Sequence, residues 1–483
     1  MEPIFELKIE LPARGSRDLL RALHAQLRAA IIDGRLKPGL PLPPTRAFAS
    51  LYDVSRNTAV AVYDLLLSEG YVTSRRGAGT YVADSIPQPR PRRVPTAAPP
   101  TDRRLNAFWR ERRVTTMRTP YRPPRYNFQV GAPDIARFPF DLWRRLSGRT
   151  LRTLAKAPSV YWEPQGRWAL REAIAKHVSF ARAVACRPED VVVTAGAQQA
   201  FDLLARILVT PGRTTVAMED PGYWAAQAAF VAAGARIVPV PVDVEGMVVE
   251  RIPADAKVVY VTPSHQFPLG AAMSMPRRSA LLEFARTRGA VVIEDDYDGE
   301  FRFGGRPLDA LQTLDRSESV LYVGTFSKSL LPGLRLGFVV APPWANQALA
   351  AAKQHVDCYC PVQTQDLLAT FIAEGHLARH IRKMRALYSA RREVLLDGLR
   401  KDFGRWLEPA PSIAGLHLTA FSKAPLNADA LVERARADEI CIHSLGPNYM
   451  GKPTRAGVVF GYGALSERAI VEGLAALRKL MPG

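Results

Sequence analysis

Cysteine is scarce in this chain: Cys186, Cys358, Cys360 and Cys441 are the four among 483 residues. So few, so spaced, exclude a disulfide-stapled scaffold. They are expected to be reduced, mostly buried thiols, with a redox or metal role open only to the Cys358/Cys360 pair. Long apolar runs are missing too. Nothing approaches the roughly 18 consecutive apolar residues that span a bilayer, and the opening MEPIFELKIE mixes charges where a signal peptide needs a continuous apolar core. A cytoplasmic protein with no membrane partner is expected, and no metal site. Acidic residues are in deficit, 46 against 65 Lys and Arg, which leaves a formal net charge of +19. That excess points to an anionic partner, although charge alone does not separate nucleic acid from a membrane surface. At about 100 to 200 residues per domain, the length means two to four domains. There is no internal repeat.

What is present falls into three segments. Over residues 1–83, Leu20, Leu23, Leu27 and Ile31 form an apolar stripe on a helix that stops at Gly34, and LKPGLPLPP breaks the chain. Thr45 is expected to cap a second short helix and Ser55 a third running to Gly70; YVTSRRGAGTYV then alternates as two strands about a Gly-containing turn. This is a winged helix-turn-helix pattern, in which the third helix enters the major groove with its first residues facing base edges. Ser55, Arg56, Asn57 and Thr58 are therefore candidate DNA contacts, Arg56 for a guanine edge and Asn57 for an adenine edge or a phosphate. Arg46 on the second helix suits the backbone, and the wing offers Arg75 and Arg76 ahead of Gly77 and Gly79. Ala59, Val62, Tyr63 and Leu66 read as the buried face.

Residues 84–125 hold nine prolines, eleven arginines and three acids. Such a stretch cannot bury enough apolar surface to offset its ordering entropy, so it reads as a linker, with a basic arm that touches phosphate as the alternative. In residues 126–483, apolar runs (VVVTAG, KVVYVTP, AVVIEDD, SVLYVGT) alternate with helical patterns. Strands separated by helices imply a large α/β domain, a mainly parallel sheet with helices on both faces, here with a smaller C-terminal α+β part.

The large domain carries chemistry of a particular kind. Asp295 and Tyr297 stand two apart at the end of an apolar strand, on one side of it. VVVTAGAQQA runs from a strand through Gly196 into a helix, so amides near Gly196, Ala197 and Gln198 make an anion cradle. Tyr223 follows a turn, where its face can stack on a ring. In VGTFSKSLLPGLRLGF, Lys328 sits between Thr325 with Ser327 on one side and Arg335 on the other. A lysine for an aldehyde, a carboxylate for a ring nitrogen and a cradle for phosphate are what pyridoxal 5'-phosphate requires.

Two resemblances follow from these motifs. GRLKPGLPLPPTRAFASLYDVSRNTAVAVYDLLLSEGYVTSRRGAGTYV resembles the DNA-binding domain of the GntR family, with Ala61 where relatives often carry a longer polar residue. The order TAGAQQA, EDPGY, TPSHQFPLG, IEDDYDGEF, GTFSKSLLPGLRLGF resembles the class I aminotransferase fold, and the two together resemble the MocR/GabR subfamily of regulators. The resemblance implies a transcriptional regulator that binds double-stranded DNA near its own gene. Lys328 would form a Schiff base with pyridoxal phosphate and Asp295 would pair the ring nitrogen. Tyr297 would contact the phenolic oxygen, Tyr223 would stack, and Arg335, Thr325 and the Gly196 turn would hold phosphate. His265 or Gln266 would occupy the place of the asparagine usual in aminotransferases, and Tyr161 would reach a partner subunit. The unit implied is a domain-swapped, head-to-tail homodimer, and an active aminotransferase carrying a DNA-binding module is the alternative. Where that fold places an arginine that clamps a substrate carboxylate, this chain has Val459, with Arg455 four residues upstream. The effector implied is an amine or amino-acid-like molecule, or the cofactor itself, and the missing arginine argues for a ligand that lacks that carboxylate or for the cofactor.

Overall fold

A computed structural model describes the chain except residues 1–6, 13–17, 76–77, 85–103, 105, 113–123, 159, 304–307, 424–425 and 483. Two compact units divide it, residues 1–112 and 113–483.

In the first unit the apolar stripe forms a helix over Leu19–Ile32, which buries Leu23, Leu27, Ala30 and Ile31. The second helix, Thr45–Leu51, has Pro44 at its cap position, and Thr45 is its first residue, not its cap. Pro44 at φ −52° already sets the entry of the chain, so no hydroxyl cap is needed there. Ser55 does cap the third helix, Arg56–Ser68, accepting from the Thr58 amide at 3.0 Å. Ala59, Val62, Tyr63 and Leu66 face inward as their spacing predicts. Strands Val72–Arg75 and Gly79–Val82 pair antiparallel as the wing, and Val72 and Val82 close the core. The Pro/Arg-rich segment lies largely outside the described residues. Within it Asn106 caps a short helix, Ala107–Glu111, by accepting from the Phe108 amide, an element that the density of prolines hid.

The second unit is built on an eight-stranded sheet. Its order is Val191–Thr194, Gly337–Val340, Val320–Thr325, Val291–Asp296, Ala256–Val261, Thr215–Asp220, Arg236–Asp243 and Gly246–Met247. The five strands from Val320–Thr325 to Arg236–Asp243 run parallel; Gly337–Val340 and Gly246–Met247 run against them, and the edge strand Val191–Thr194 runs with them again. Central strands are apolar up to their carboxyl ends because helices cover both faces, which is why they read as continuous runs instead of alternating ones. A second lobe follows. A four-stranded antiparallel sheet of Leu407–Pro409, His417–Ser422, Gly457–Gly461 and His443–Ser444 packs with the 28-residue helix His376–Phe403. The four cysteines are free. Cys360 is in the core, Cys186 and Cys441 are half-buried, and Cys358, at φ +62°, is exposed, so burial is less general than expected. No described helix is long and apolar enough to cross a membrane.

Candidate cofactor site and DNA-binding face

At the carboxyl ends of parallel strands the backbone leaves the sheet, and side chains there face open space. Asp295 is next to last on Val291–Asp296 and pairs in register with Val323 of the neighbouring strand, whose continuation carries Thr325, Ser327 and Lys328. Asp295 is 3 % exposed. Its Oδ2 accepts from the Tyr260 hydroxyl at 2.6 Å, while Oδ1 has no partner. Burial pushes this carboxyl up to about 7, against the opposing pull of Tyr260 and Lys328. Lys328 is half-buried, and its Nζ donates to the Gly131 carbonyl at 3.0 Å. Burial lowers its pKa, opposed by the charges of Asp298 and Asp295. A Cβ on Gly131, at φ +72°, would collide with that ammonium, so glycine is what lets the segment approach.

The expected anion cradle falls at an uncapped helix start. Gly196, at φ +82°, precedes the helix Ala197–Leu208, which has no side-chain cap, so the amides of its first turn lack intrahelical acceptors. Arg335 lies over this turn and donates to the Ala195 carbonyl at 2.8 Å; a Cβ on Gly196 would sit 2.9 Å from its guanidinium. The Gln198 side chain turns away to the Ala225 carbonyl. Thr325 Oγ1 accepts from the Ser327 amide at 3.2 Å, which closes the loop before Lys328.

Tyr223 and Tyr297 come together through a residue that the sequence reading passed over. Phe267 stands edge-on to both, at 5.5 Å and 6.1 Å between ring centroids. His265 lies against the Tyr297 hydroxyl, with Nδ1 to oxygen at 2.9 Å, and Gln266 binds the Pro221 carbonyl and Glu219 instead. Tyr260, Phe267, Asp298, Ser412 and His417 are the other side chains gathered here. Only contacts distant in the chain bring in the last two, so no local pattern could have marked them. Asp298, one residue past Tyr297 in DDYDGEF, was the one with a signal. His265, Asp298 and His417 place ligand atoms within 4.8 Å of one another, as a metal site would. Their ring nitrogens already meet Asp298, Ser412 and the Pro268 carbonyl at 3.1 Å, which makes the cluster a hydrogen-bonded network.

Val459 is 1 % exposed and packs with Ala410, Phe421 and Leu445, against Val130, Leu269 and Tyr449. Its strand lies directly on the segment that ends at Gly131, beside the lysine. Arg455 stacks on the Phe421 ring at 3.4 Å and is exposed. Tyr161 is 88 % exposed.

On the first unit, Arg46, Arg56 and Asn57 are exposed. Ser55 and Thr58 are engaged with each other at the helix cap. Arg75 stacks on Tyr81 at 4.6 Å, 3.9 Å from Asp84, and Gly79, at φ +106°, has open space about it. Arg76 and Gly77 lie outside the described residues.

The unpartnered Asp295 Oδ1 fits a protonated ring nitrogen, the glycine-built helix terminus fits a phosphate, and the lysine between them fits an aldehyde. The comparisons agree. The profile of the family "Aminotransferase class I and II" matches residues 139–446, and that of "Bacterial regulatory proteins, gntR family" matches residues 19–82. The probable rhizopine catabolism regulatory protein MocR of Rhizobium meliloti is 38 % identical over 465 residues, 95 % of this chain and 92 % of its own. The kynurenine aminotransferase of Pyrococcus horikoshii, in complex with PMP, superposes with a TM-score of 0.72 at 27 % identity, over 78 % of this chain and 96 % of that one. LysN, the alpha-aminoadipate aminotransferase of Thermus thermophilus, complexed with N-(5'-phosphopyridoxyl)-L-leucine, gives 0.68 at 30 %, over 74 % and 91 %. A winged DNA-binding head thus precedes a pyridoxal-phosphate fold in one chain, and the protein belongs to the MocR/GabR-type subfamily of GntR transcriptional regulators.

Proposed function

We propose that this regulator senses an amine or amino-acid-like effector, or pyridoxal phosphate itself, through residues 126–483, which would hold pyridoxal phosphate on Lys328, and that the signal alters the grip of the winged domain on an operator near its own gene. The observation that carries the reading is the convergence of the Lys328 amine, the unpartnered Asp295 Oδ1 and the Gly196 helix terminus at the carboxyl edge of one sheet. The cofactor supplies an aldehyde that captures amines and a ring that withdraws electron density. Lys328 is the attachment point, and its lowered pKa raises the share of neutral, nucleophilic amine. Asp295 Oδ1 accepts the ring N–H. Tyr297 donates to the phenolic oxygen, and Tyr223 with Phe267 packs the ring. The amides at Gly196, Ala197 and Gln198, with Thr325, Ser327 and Arg335, hold the phosphate. His265 stands behind Tyr297.

The wall that contains Val459 is apolar, so the effector is an amine with no carboxylate on its amine-bearing carbon, or the cofactor itself. The working unit is a head-to-tail homodimer with each winged domain against the other copy, and exposed Tyr161 is the side chain that reaches across. Arg46, Ser55, Arg56, Asn57, Thr58, Arg75, Arg76, Gly77 and Gly79 form the DNA face. The domains run 1–83 and 126–483 with 84–125 as linker, and the setting is the cytoplasm, at the nucleoid. An active aminotransferase is the second reading, favoured by the intact set of Lys328, Asp295 and Tyr297.

Mixing the purified chain with pyridoxal phosphate tests this. The chain should acquire the visible absorbance of lysine-bound pyridoxal, and Lys328→Ala should lose that band while still binding the operator. A wild-type chain that stays colourless rejects the reading, and sustained conversion of an amino donor to a keto acid moves it to the enzyme.

A further inference from the structure

Three oxygens crowd one nitrogen behind Tyr297. His265 Nδ1 lies 3.1 Å from both oxygens of Asp298 and 2.9 Å from the Tyr297 hydroxyl. A ring nitrogen either carries a proton and donates or presents a lone pair and accepts, and it cannot do both. Asp298 is 1 % exposed and, as a carboxylate, accepts only. A buried carboxylate facing a lone pair would be costly, so the Nδ1 proton belongs to Asp298. Nδ1 is then closed as an acceptor. The proton of Tyr297 must point elsewhere, and Asp295, whose charge acts both on this phenol and on Lys328, lies in its surroundings.

We propose that Asp298 and His265 are positioning residues: by fixing the proton on Nδ1 they turn the Tyr297 hydroxyl into a donor aimed at the cofactor site. This rests on the proposed binding of pyridoxal phosphate and adds who directs the phenol. The surroundings hold the arrangement firmly. Cβ atoms at Gly270 and Gly415 would run into Ser412 and His265, so the network is packed between two glycines. His265 Nε2 meets Ser412 Oγ at 3.1 Å, and Ser412 Oγ reaches the Ala414 carbonyl at 3.2 Å, so Nε2 finds a partner whether protonated or bare. His417, whose ring centroid is 4.9 Å from that of His265, donates to the Pro268 carbonyl, and burial holds its pKa well below the usual histidine range. Burial, with the charges of Asp298, Asp295 and Glu219 and the nearby Tyr462, keeps the phenol of Tyr297 well above its ordinary pKa, so it retains the proton to give. Lys328 is the cation on which the charges of Asp298 and Asp295 act.

The test follows the pH midpoint of the absorbance change of lysine-bound pyridoxal in the full chain. A donor to the phenolic oxygen stabilises its anionic form and holds that midpoint low, so Tyr297→Phe should raise it by about one pH unit, tenfold in the proton equilibrium. Asp298→Asn has the same shape but frees Nδ1 to accept, which turns the phenol inward. It should raise the midpoint by a similar amount, and the double variant should be no higher than Tyr297→Phe alone. Should Asp298→Asn not fold, His265→Asn, whose amide N–H replaces Nδ1–H, must keep the wild-type midpoint while His265→Leu raises it. An unmoved midpoint in Asp298→Asn, or additive shifts in the double variant, overturns the proposal and leaves the cofactor reading standing. A wild type that never takes up pyridoxal phosphate overturns both.

Discussion

A carboxyl group with one satisfied oxygen and one bare one is expensive to bury, a cost that the proposed ligand would offset at Asp295. Without the ligand, its raised pKa is a stability statement. A carboxyl whose folded pKa lies above its unfolded one stabilises the fold only while protonated, fully below about 4, and that contribution is lost as pH rises toward about 7. The cofactor-free wild type is therefore expected to lose stability relative to Asp295→Asn between about pH 5 and about pH 8, by up to about 3 kcal/mol. Denaturant melts of both proteins across that range check it, and parallel curves would refute it. Added pyridoxal phosphate should erase the difference for the wild type alone, since only the carboxylate pairs with a protonated ring nitrogen. At this scale the sequence was half legible. Asp295 and Tyr297 announce themselves through strand spacing, and Gly196 through the turn into its helix. Tyr260, Ser412 and His417 do not, because each reaches the site from a separate element with no periodicity of its own. Phe267 gives no such signal, since a phenylalanine beside a proline reads as packing.

Among elements, long and strongly patterned ones were readable and edges were not. The buried faces of Leu19–Ile32 and Arg56–Ser68 follow their 3.6-residue spacing. The antiparallel strand Gly337–Val340 carries the same apolar run as its parallel neighbours, so direction could not be told from composition. In the recognition helix, the structure divides residues that sequence grouped together. Ser55 and Thr58 engage each other at the helix start, while Arg56, Asn57 and Arg46 are exposed; of the proposed DNA face, Arg56 and Asn57 would then be the first to read bases and Arg46 to hold the backbone. Arg56→Ala should thus weaken operator binding by about 1–3 kcal/mol with little change on unrelated DNA. Arg46→Ala should weaken both alike and lower the salt dependence by about one counterion. Binding titrations on operator and scrambled duplexes at several salt concentrations separate the two. Equal losses on both duplexes for Arg56→Ala would remove it from base reading.

For the whole molecule, a ligand in one unit can change DNA binding by the other only through a difference in its affinity for two arrangements of the chain. In the proposed reading that difference would arise at the lysine, where Lys328 meets the Gly131 segment on which the Val459 strand lies. In the proposed reading the carboxylate of an α-amino acid would come against the apolar cluster of Val459, with Val130 and Leu269, where no charge-assisted hydrogen bond awaits it. Such a bond contributes about 1.5–3 kcal/mol elsewhere, or about ten- to a hundredfold in affinity. A primary amine without the carboxylate forfeits nothing there. It should shift operator affinity at a concentration about ten- to a hundredfold below that needed by the amino acid of the same skeleton. Lys328→Ala should bind the operator and ignore both. Val459→Arg, provided its melting profile matches the wild type, should close the gap by improving the amino acid. Fluorescence anisotropy of a labelled operator, titrated with the matched pair, reads all three. If the amino acid acts at the lower concentration on the wild type, the apolar wall does not select the effector, and Arg455, swung away from Phe421, becomes the group to substitute next.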